Sequence, residues 1–243
     1  MAWYCPQCGH DSEVAGACPR DAEPLVRVST HDLHGRRLGE YIVLATLGGG
    51  AYGTVYRAVH ARSALIVAIK LLHRPIDDGD GQRVITEGRA AAMLSHPNVV
   101  QVYDLALTSD RRPYIVMQFL DGKPLSRVIG GPESERLPVA FAVTIASDIL
   151  AGLGAAHARG VIHRDLKPEN VFVAAGRAVV VDFGLAKLVA DPKAPNLTMT
   201  GEAIGTPQYM APEQARGETV GTAADVYALG AMLYELLSGH PPI

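Results

Sequence analysis

Cysteine is scarce in this chain of 243 residues, and the three present all fall within the first eighteen positions. That excludes a disulfide framework and makes the cysteines a local feature of the head. No apolar run reads as long enough for a membrane span, and the start MAWYCPQCGH lacks the basic-then-apolar pattern of a signal peptide. The segment is therefore expected to be soluble and, by default, cytoplasmic, with no membrane contact of its own. The chain also lacks a basic cluster. Its formal net charge is -3 with Lys and Arg scattered along it, which argues against nucleic acid as a partner. Internal repeats and low-complexity tracts are missing too. What is present, 48% hydrophobic and 19% charged residues, suffices for a core that folds without covalent staples.

Three regions follow from the pattern: a cysteine-bearing head over 1–22, a charged connector over 23–38, and a globular remainder over 39–243. YIVLATLGGGAYGTVYRAV, from Tyr41 to Val59, reads as strand, glycine turn, strand, and ALIVAIKLL as a third β-branched run, together an antiparallel meander. RVITEGRAAAMLS has helical composition and stops before His96-Pro97. Two more strand-like runs, VVQVYDLAL and YIVMQFL, precede a helix whose stripe is Phe141, Ile145, Ile149 and Leu153, ending at Gly160. Strands first and helices afterwards predict an α+β protein with a sheet-rich first lobe over about 39–120 and a mainly helical second over about 121–243.

In the head, Cys5 and Cys8 have the two-residue spacing that lets one tight turn present two thiolates to a metal, and Cys18 lies at a plausible return distance. A closed zinc site needs a fourth ligand, for which Asp21 and His10 both qualify. The stretch resembles a degenerate zinc ribbon; the competing reading is a disordered head with reduced surface thiols. A bound zinc would be structural, because so short a head buries little apolar surface.

In the body, Gly48, Gly50 and Gly53 form a G-x-G-x-x-G-x-V pattern between two strands, where backbone N–H groups can approach a phosphate closely. A strand follows the glycines and then VAIK, which disfavours a dinucleotide-binding crossover. Lys70 suits a fixed cation for phosphate, against the plainer alternative of a surface lysine at a strand end. VIHRDLKPENVF can bring together Asp165 as acceptor for a hydroxyl proton, Lys167 as cation for a transferring phosphate, and Asn170 as an oxygen ligand for magnesium. VVVDFG adds Asp182 as a second hard-oxygen ligand.

With these landmarks in order, the chain from about Tyr41 resembles a eukaryotic-type (Hanks-type) serine/threonine protein kinase of bacterial kind. The resemblance implies a Mg-ATP-dependent transfer to serine and threonine hydroxyls of protein substrates. It implies that Gly48, Gly50 and Gly53 cover the phosphates, that Lys70 holds them and pairs with Glu87, and that Val55 and Ala68 join the ATP site. Met117 would guard the adenine pocket, with Gln118, Phe119 and Leu120 as hinge. Asp165 would be the catalytic base, Lys167 the stabiliser of the transferring phosphoryl, Asn170 and Asp182 the magnesium ligands, and His163 a packing residue without chemistry. Thr206, within GTPQYMAPE, would contact the catalytic Asp and Lys and marks serine/threonine specificity. Thr198 and Thr200 would be autophosphorylated in a self-association, with Arg164 as the phosphate's partner, unless they belong only to a polar mobile loop. Ala91, one turn past Glu87, is smaller than the family's usual residue.

TAADVYALGAMLYELLSG places Thr222 and Asp225 in a capping-box arrangement and Val226, Leu229, Leu233 and Leu237 along one face. It resembles the central helix of the large lobe, in which Asp225 would hold the catalytic loop, though simple capping explains the same residue. The family's later helices, with the arginine that would pair with Glu213, do not follow. The chain therefore reads as cut inside its domain, with any anchor beyond Ile243 out of view. A catalytically inert nucleotide-binding or scaffold protein is the alternative, and a docking or sensing role for the head a third.

Overall fold

The computed structural model describes residues 2–4, 11–12, 16–19, 26–28, 33–50, 53–76, 94–129, 137–183 and 207–242. The chain divides into two compact units, 1–86 with 102–119, and 87–101 with 120–243.

The first unit holds two sheets. Strand β1 (Ala2–Tyr4) pairs antiparallel with β2 (Asp11–Ser12) and with β3 (Val26–Val28), so the head's sheet takes in residues from the stretch read as connector. The larger sheet comprises β4 (Arg37–Leu38), β5 (Tyr41–Gly49), β6 (Gly53–His60), β7 (Ile66–Leu72), β8 (Val102–Leu107) and β9 (Pro113–Gln118). Its order is β4-β5-β6-β7-β9-β8, antiparallel throughout, and it contains the expected meander. The period of two divides its residues between faces. Tyr56, Ala58, Val67, Ile69, Leu71, Tyr114 and Val116 build one core cluster with Leu38 and Val43. The alternate positions Val55, Ala68, Lys70 and Met117 are left on the opposite face. Gly53 has a packing reason to be glycine: a Cβ there would meet the Leu71 carbonyl oxygen at 2.5 Å.

The second unit begins with β10 (Lys123–Pro124), α1 (Leu125–Ile129) and α2 (Val139–His157). Then come β11 (Val171–Ala174) and β12 (Arg177–Val180), joined by a tight turn in which Ala175 and Gly176 both have positive φ. Helices α3 (Pro212–Ala215) and α4 (Ala223–Ser238) complete it. The small sheet has the order β10-β11-β12. Val100 donates to the Val180 carbonyl and Val180 to that of Asn98, which fastens 98–100 alongside β12.

Helix α2 is rich in alanine, and buries Ile145, Ile149 and Leu153 as its spacing predicts, with Phe141 at the edge of the stripe. Its 19 residues are long and apolar enough to cross a membrane, contrary to the reading that no run reaches that length. Here one face of the helix lies in the unit's core against α4 and β12.

Helix α4 departs from its predicted stripe. Leu229 is buried and Leu233 partly so, but Val226 and Leu237 are 52% and 42% exposed. The buried positions include Asp225, Ala228, Leu229, Met232 and Leu236, which follow helical spacing from a carboxylate. A search for large apolar residues misses that face because Asp225 and three alanines, 224, 228 and 231, lie on it. Thr222 makes no side-chain cap hydrogen bond, so the predicted capping box is not formed.

Two glycines of α2 make opposite predictions. A Cβ at Gly152 would lie 2.7 Å from the Asn98 carbonyl oxygen, whereas one at Gly154 would meet nothing within 4 Å. Gly154→Ala should stabilise the protein by about 0.5–1 kcal/mol through helix propensity. Gly152→Ala should destabilise it by about 1–3 kcal/mol through overpacking. Urea denaturation of both variants beside the parent checks the sign.

Candidate active site

Each unit carries part of the candidate machinery. In the first, Lys70 stands in the middle of β7, paired in register with Val55 of β6 and Ile115 of β9. A half-buried lysine in an interior strand is not the strand-end surface lysine that was its plain alternative. Ala68 is opposite Met117 in the same ladder, so residues expected at the ATP site share the face of the sheet that carries Lys70. Gly48 pairs with Val55, and Gly50 donates to the Gly53 carbonyl across the turn. Added Cβ atoms at Gly48 and Gly50 would meet nothing within 4 Å, so the backbone beside both is open. Gln118 ends β9 exposed, and Phe119 has the Arg57 guanidinium 5.3 Å from its ring centroid. Leu120 follows in the second unit.

In the second unit the loop 163–170 is fixed by its own polar groups. Lys167 Nζ lies 2.9 Å from Asp165 Oδ2, their side chains 19% and 42% exposed. Asn170 donates from Nδ2 to the Asp165 carbonyl oxygen at 2.7 Å, and its own carbonyl accepts from Val181 N at 2.9 Å. That last bond sets Asp182 one residue from the Asn170 backbone. A one-turn 3-10 helix, Pro168–Asn170, makes this compact, with proline at a position where a missing N–H costs nothing. Arg164 and Asp182 have φ of 69° and 65°, a left-handed conformation uncommon for residues with a Cβ.

The loop is anchored from beneath. His163 is 1% exposed, packs edge-on against Phe183, and reaches the Val181 carbonyl from Nε2 at 2.8 Å. A carbonyl only accepts, so Nε2 carries the proton and Nδ1 accepts from Asp165 N. His163 is thus the satisfied core histidine expected. Asp225, also 1% exposed, accepts from His163 N at 2.8 Å, Arg164 N at 2.9 Å and His157 Nε2 at 2.7 Å. Its carboxylate holds the loop rather than capping its own helix.

Several expected residues lie outside the described ones: Glu87 and Ala91; Thr198, Thr200 and Thr206; and Cys5, Cys8, His10 and Asp21. Cys18 is described, and buried. Among the described residues no group of His, Cys, Asp and Glu is arranged to hold a metal, and Glu213 enters no ion pair. Sequence reasoning missed three partners. His157 bonds Asp225; Tyr209 donates its hydroxyl to Glu235; Gln214 reaches the Arg164 carbonyl. Burial, and next the Glu235 carboxylate, push the Tyr209 phenol well above its ordinary pKa, so it remains a donor. Only Gln214 left a trace in the sequence, as a glutamine at the third position of a helix that begins with proline.

Residues 41–243 match the family model described as protein kinase domain. The serine/threonine-protein kinase Pkn1 of Myxococcus xanthus is 39% identical over 258 residues, which cover 98% of this chain and 36% of that protein. PknB of Mycobacterium leprae is 40% identical over 204 residues, 81% of this chain and 32% of the relative. The chain thus spans about a third of the length of these curated relatives. Among solved structures, the Mycobacterium tuberculosis PknI kinase domain superposes with a TM-score of 0.67 at 30% identity, covering 85% of this chain and 77% of that one.

Removal of the Asp225 carboxylate tests how the loop is held. Asp225→Ala leaves one buried and one partly buried amide without their acceptor and should cost about 2–5 kcal/mol in chemical denaturation. Asp225→Asn retains one acceptor oxygen and should cost clearly less.

Proposed function

We propose that this chain, which belongs to the protein kinase family and has its α+β fold, transfers the γ-phosphate of Mg-ATP to serine and threonine hydroxyls of proteins. The observation that carries the reading is the cluster of Asp165, Lys167 and Asn170 on one loop, an acceptor with a cation and an amide each within hydrogen-bond reach of it. The relatives' description as kinases favours this over an inert nucleotide-binding or scaffold role.

Asp165 has the geometry of a base. Lys167 and the longer contact from Asn170 both fall on Oδ2, which leaves Oδ1 of a partly exposed side chain to take the proton of an attacking hydroxyl. Lys167, beside it, meets the charge of the phosphoryl group in transfer. Lys70 and the open backbone at Gly48 and Gly50 suit the phosphates of ATP, and the apolar side chains of Val55, Ala68 and Met117 suit its base. Gly53 serves the packing of β6 on β7 as well.

The donors for magnesium also fit. Asn170 spends its Nδ2 hydrogens on Asp165, so its amide oxygen is the end left for a cation; with the Asp182 carboxylate this makes a hard-oxygen pair. When bound, the ion neutralises phosphate charge. Glu87 as partner of Lys70, Thr206 as specificity residue, and autophosphorylation of Thr198 or Thr200 in a self-associated pair complete the reading. Arg164 serves as partner of that phosphate.

The head extends it. Cys5, Cys8, Cys18 and Asp21 form the proposed zinc set, supported by the buried Cys18, by the three very short strands of the head's sheet, and by a Pkn1 match that takes in nearly the whole chain. The segment acts in the cytoplasm.

Labelled γ-phosphate from Mg-ATP, supplied to the purified chain, should appear on Thr198 or Thr200 by mass spectrometry. Asp165→Asn should lower the rate by about 10²–10⁴-fold while ATP binding persists; undiminished transfer by that variant would remove Asp165 from the mechanism. Metal analysis should find zinc in stoichiometric amount, lost on Cys5→Ser and Cys8→Ser substitution. A metal-free head would overturn the zinc set.

A further inference from the structure

We infer that Gln214, which the motifs assign no role, is a positioning residue for Asp165, setting the peptide plane from which that side chain projects; the inference rests on the kinase reading. The carboxamide of Gln214 is used at both ends. Nε2 donates to the Arg164 carbonyl at 2.6 Å, across fifty residues of sequence, and Oε1 accepts from Ala211 N at 3.2 Å, at the start of its own short helix. The second bond is ordinary helix capping by a residue at the third position. The first has no capping function.

Its place explains what it does. The Arg164 carbonyl and the Asp165 N–H belong to one rigid peptide plane. Gln214 holds the oxygen of that plane, and His163 Nδ1 accepts from the Asp165 N–H at 3.3 Å. Arg164 N, one plane earlier, is held by Asp225 Oδ1 at 2.9 Å. Arg164 sits at φ 69°, a conformation that a residue with a Cβ keeps only when its surroundings enforce it. Both polar groups of Arg164's backbone are enforced here, and Gln214 supplies one of the two.

The support behind Gln214 is firm. Ala211 is fully buried and Tyr209 is 6% exposed, its hydroxyl tied to Glu235 of α4. Asp225 belongs to the same helix. The circuit therefore closes: from α4 through Asp225 to the loop, and from α4 through Tyr209, Ala211 and Gln214 back to the loop. A displacement of 209–214 would act on the Asp165 peptide through Gln214. That makes the residue a coupling between the segment ending in Ala-Pro-Glu and the proposed base.

Gln214→Glu separates the two bonds, since it keeps the capping acceptor and loses the donor toward Arg164. Gln214→Met removes both without adding charge. The full chain as parent, Gln214→Glu and Gln214→Met would be compared in thermal midpoint, in autophosphorylation rate against Mg-ATP concentration, and in amide exchange over 161–167. The expected result for Gln214→Glu is a near-parental midpoint, kcat lowered by about tenfold or more, KM for ATP within about twofold, and faster exchange confined to the loop. Gln214→Met should show the same kcat loss and loop exchange even if its midpoint falls. Parental kcat and loop exchange in either variant would reduce Gln214 to a helix cap and overturn the inference. A parent that transfers no phosphate would count against the kinase reading alone, and the exchange rates would still decide whether Gln214 orders the loop.

Discussion

Three donors converge on the buried carboxylate of Asp225, and the arrangement of the second unit depends on that convergence. Burying a carboxylate is costly unless its oxygens are satisfied, and two of its three partners are main-chain amides that would otherwise be unpaired. The same contact that makes Asp225 tolerable in the core therefore fixes the backbone at His163 and Arg164. It also orients α4: with Asp225 inward, Ala228, Leu229, Met232 and Leu236 follow it into the core by helical spacing. Packing and loop geometry are consequences of one electrostatic requirement.

In the first unit the corresponding constraint is the alternation of a strand. Ile69 and Leu71 belong to the core cluster, so Lys70 must emerge on the other face, with Val55 and Ile115 opposite it in register. The lysine's position is thus a by-product of burying its neighbours. Gly53 shows the same economy, because the close approach of β6 to β7 that places Lys70 beside Val55 leaves no room for a Cβ.

Much of this was legible in advance. The meander could be read from β-branched runs around a glycine turn, and the stripe Ile145, Ile149 and Leu153 from period alone, because in both cases the signal is local. The candidate site was legible as a set of residues through the motifs GGGAYGTV, VAIK, HRDLKPEN and DFG. The stripe on α4 was misread for a physical reason: its buried face is centred on a charged residue and on alanines, which no scale of apolarity selects. The apparent capping box is not formed because Thr222 is itself helical, and because the Asp225 carboxylate that would have served the box is taken by the loop's amides.

Sequence alone determined which chemical groups the protein has to work with: the acceptor, the cations, the amide and carboxylate oxygens, and the period that assigns each to strand, loop or helix. Tertiary structure decided their partners. His157 and Asp225 are 68 residues apart, Gln214 and Arg164 fifty, and no local pattern encodes such pairings. They form because a buried donor or acceptor must find its complement wherever the packed chain brings one, and only the folded arrangement specifies where that is.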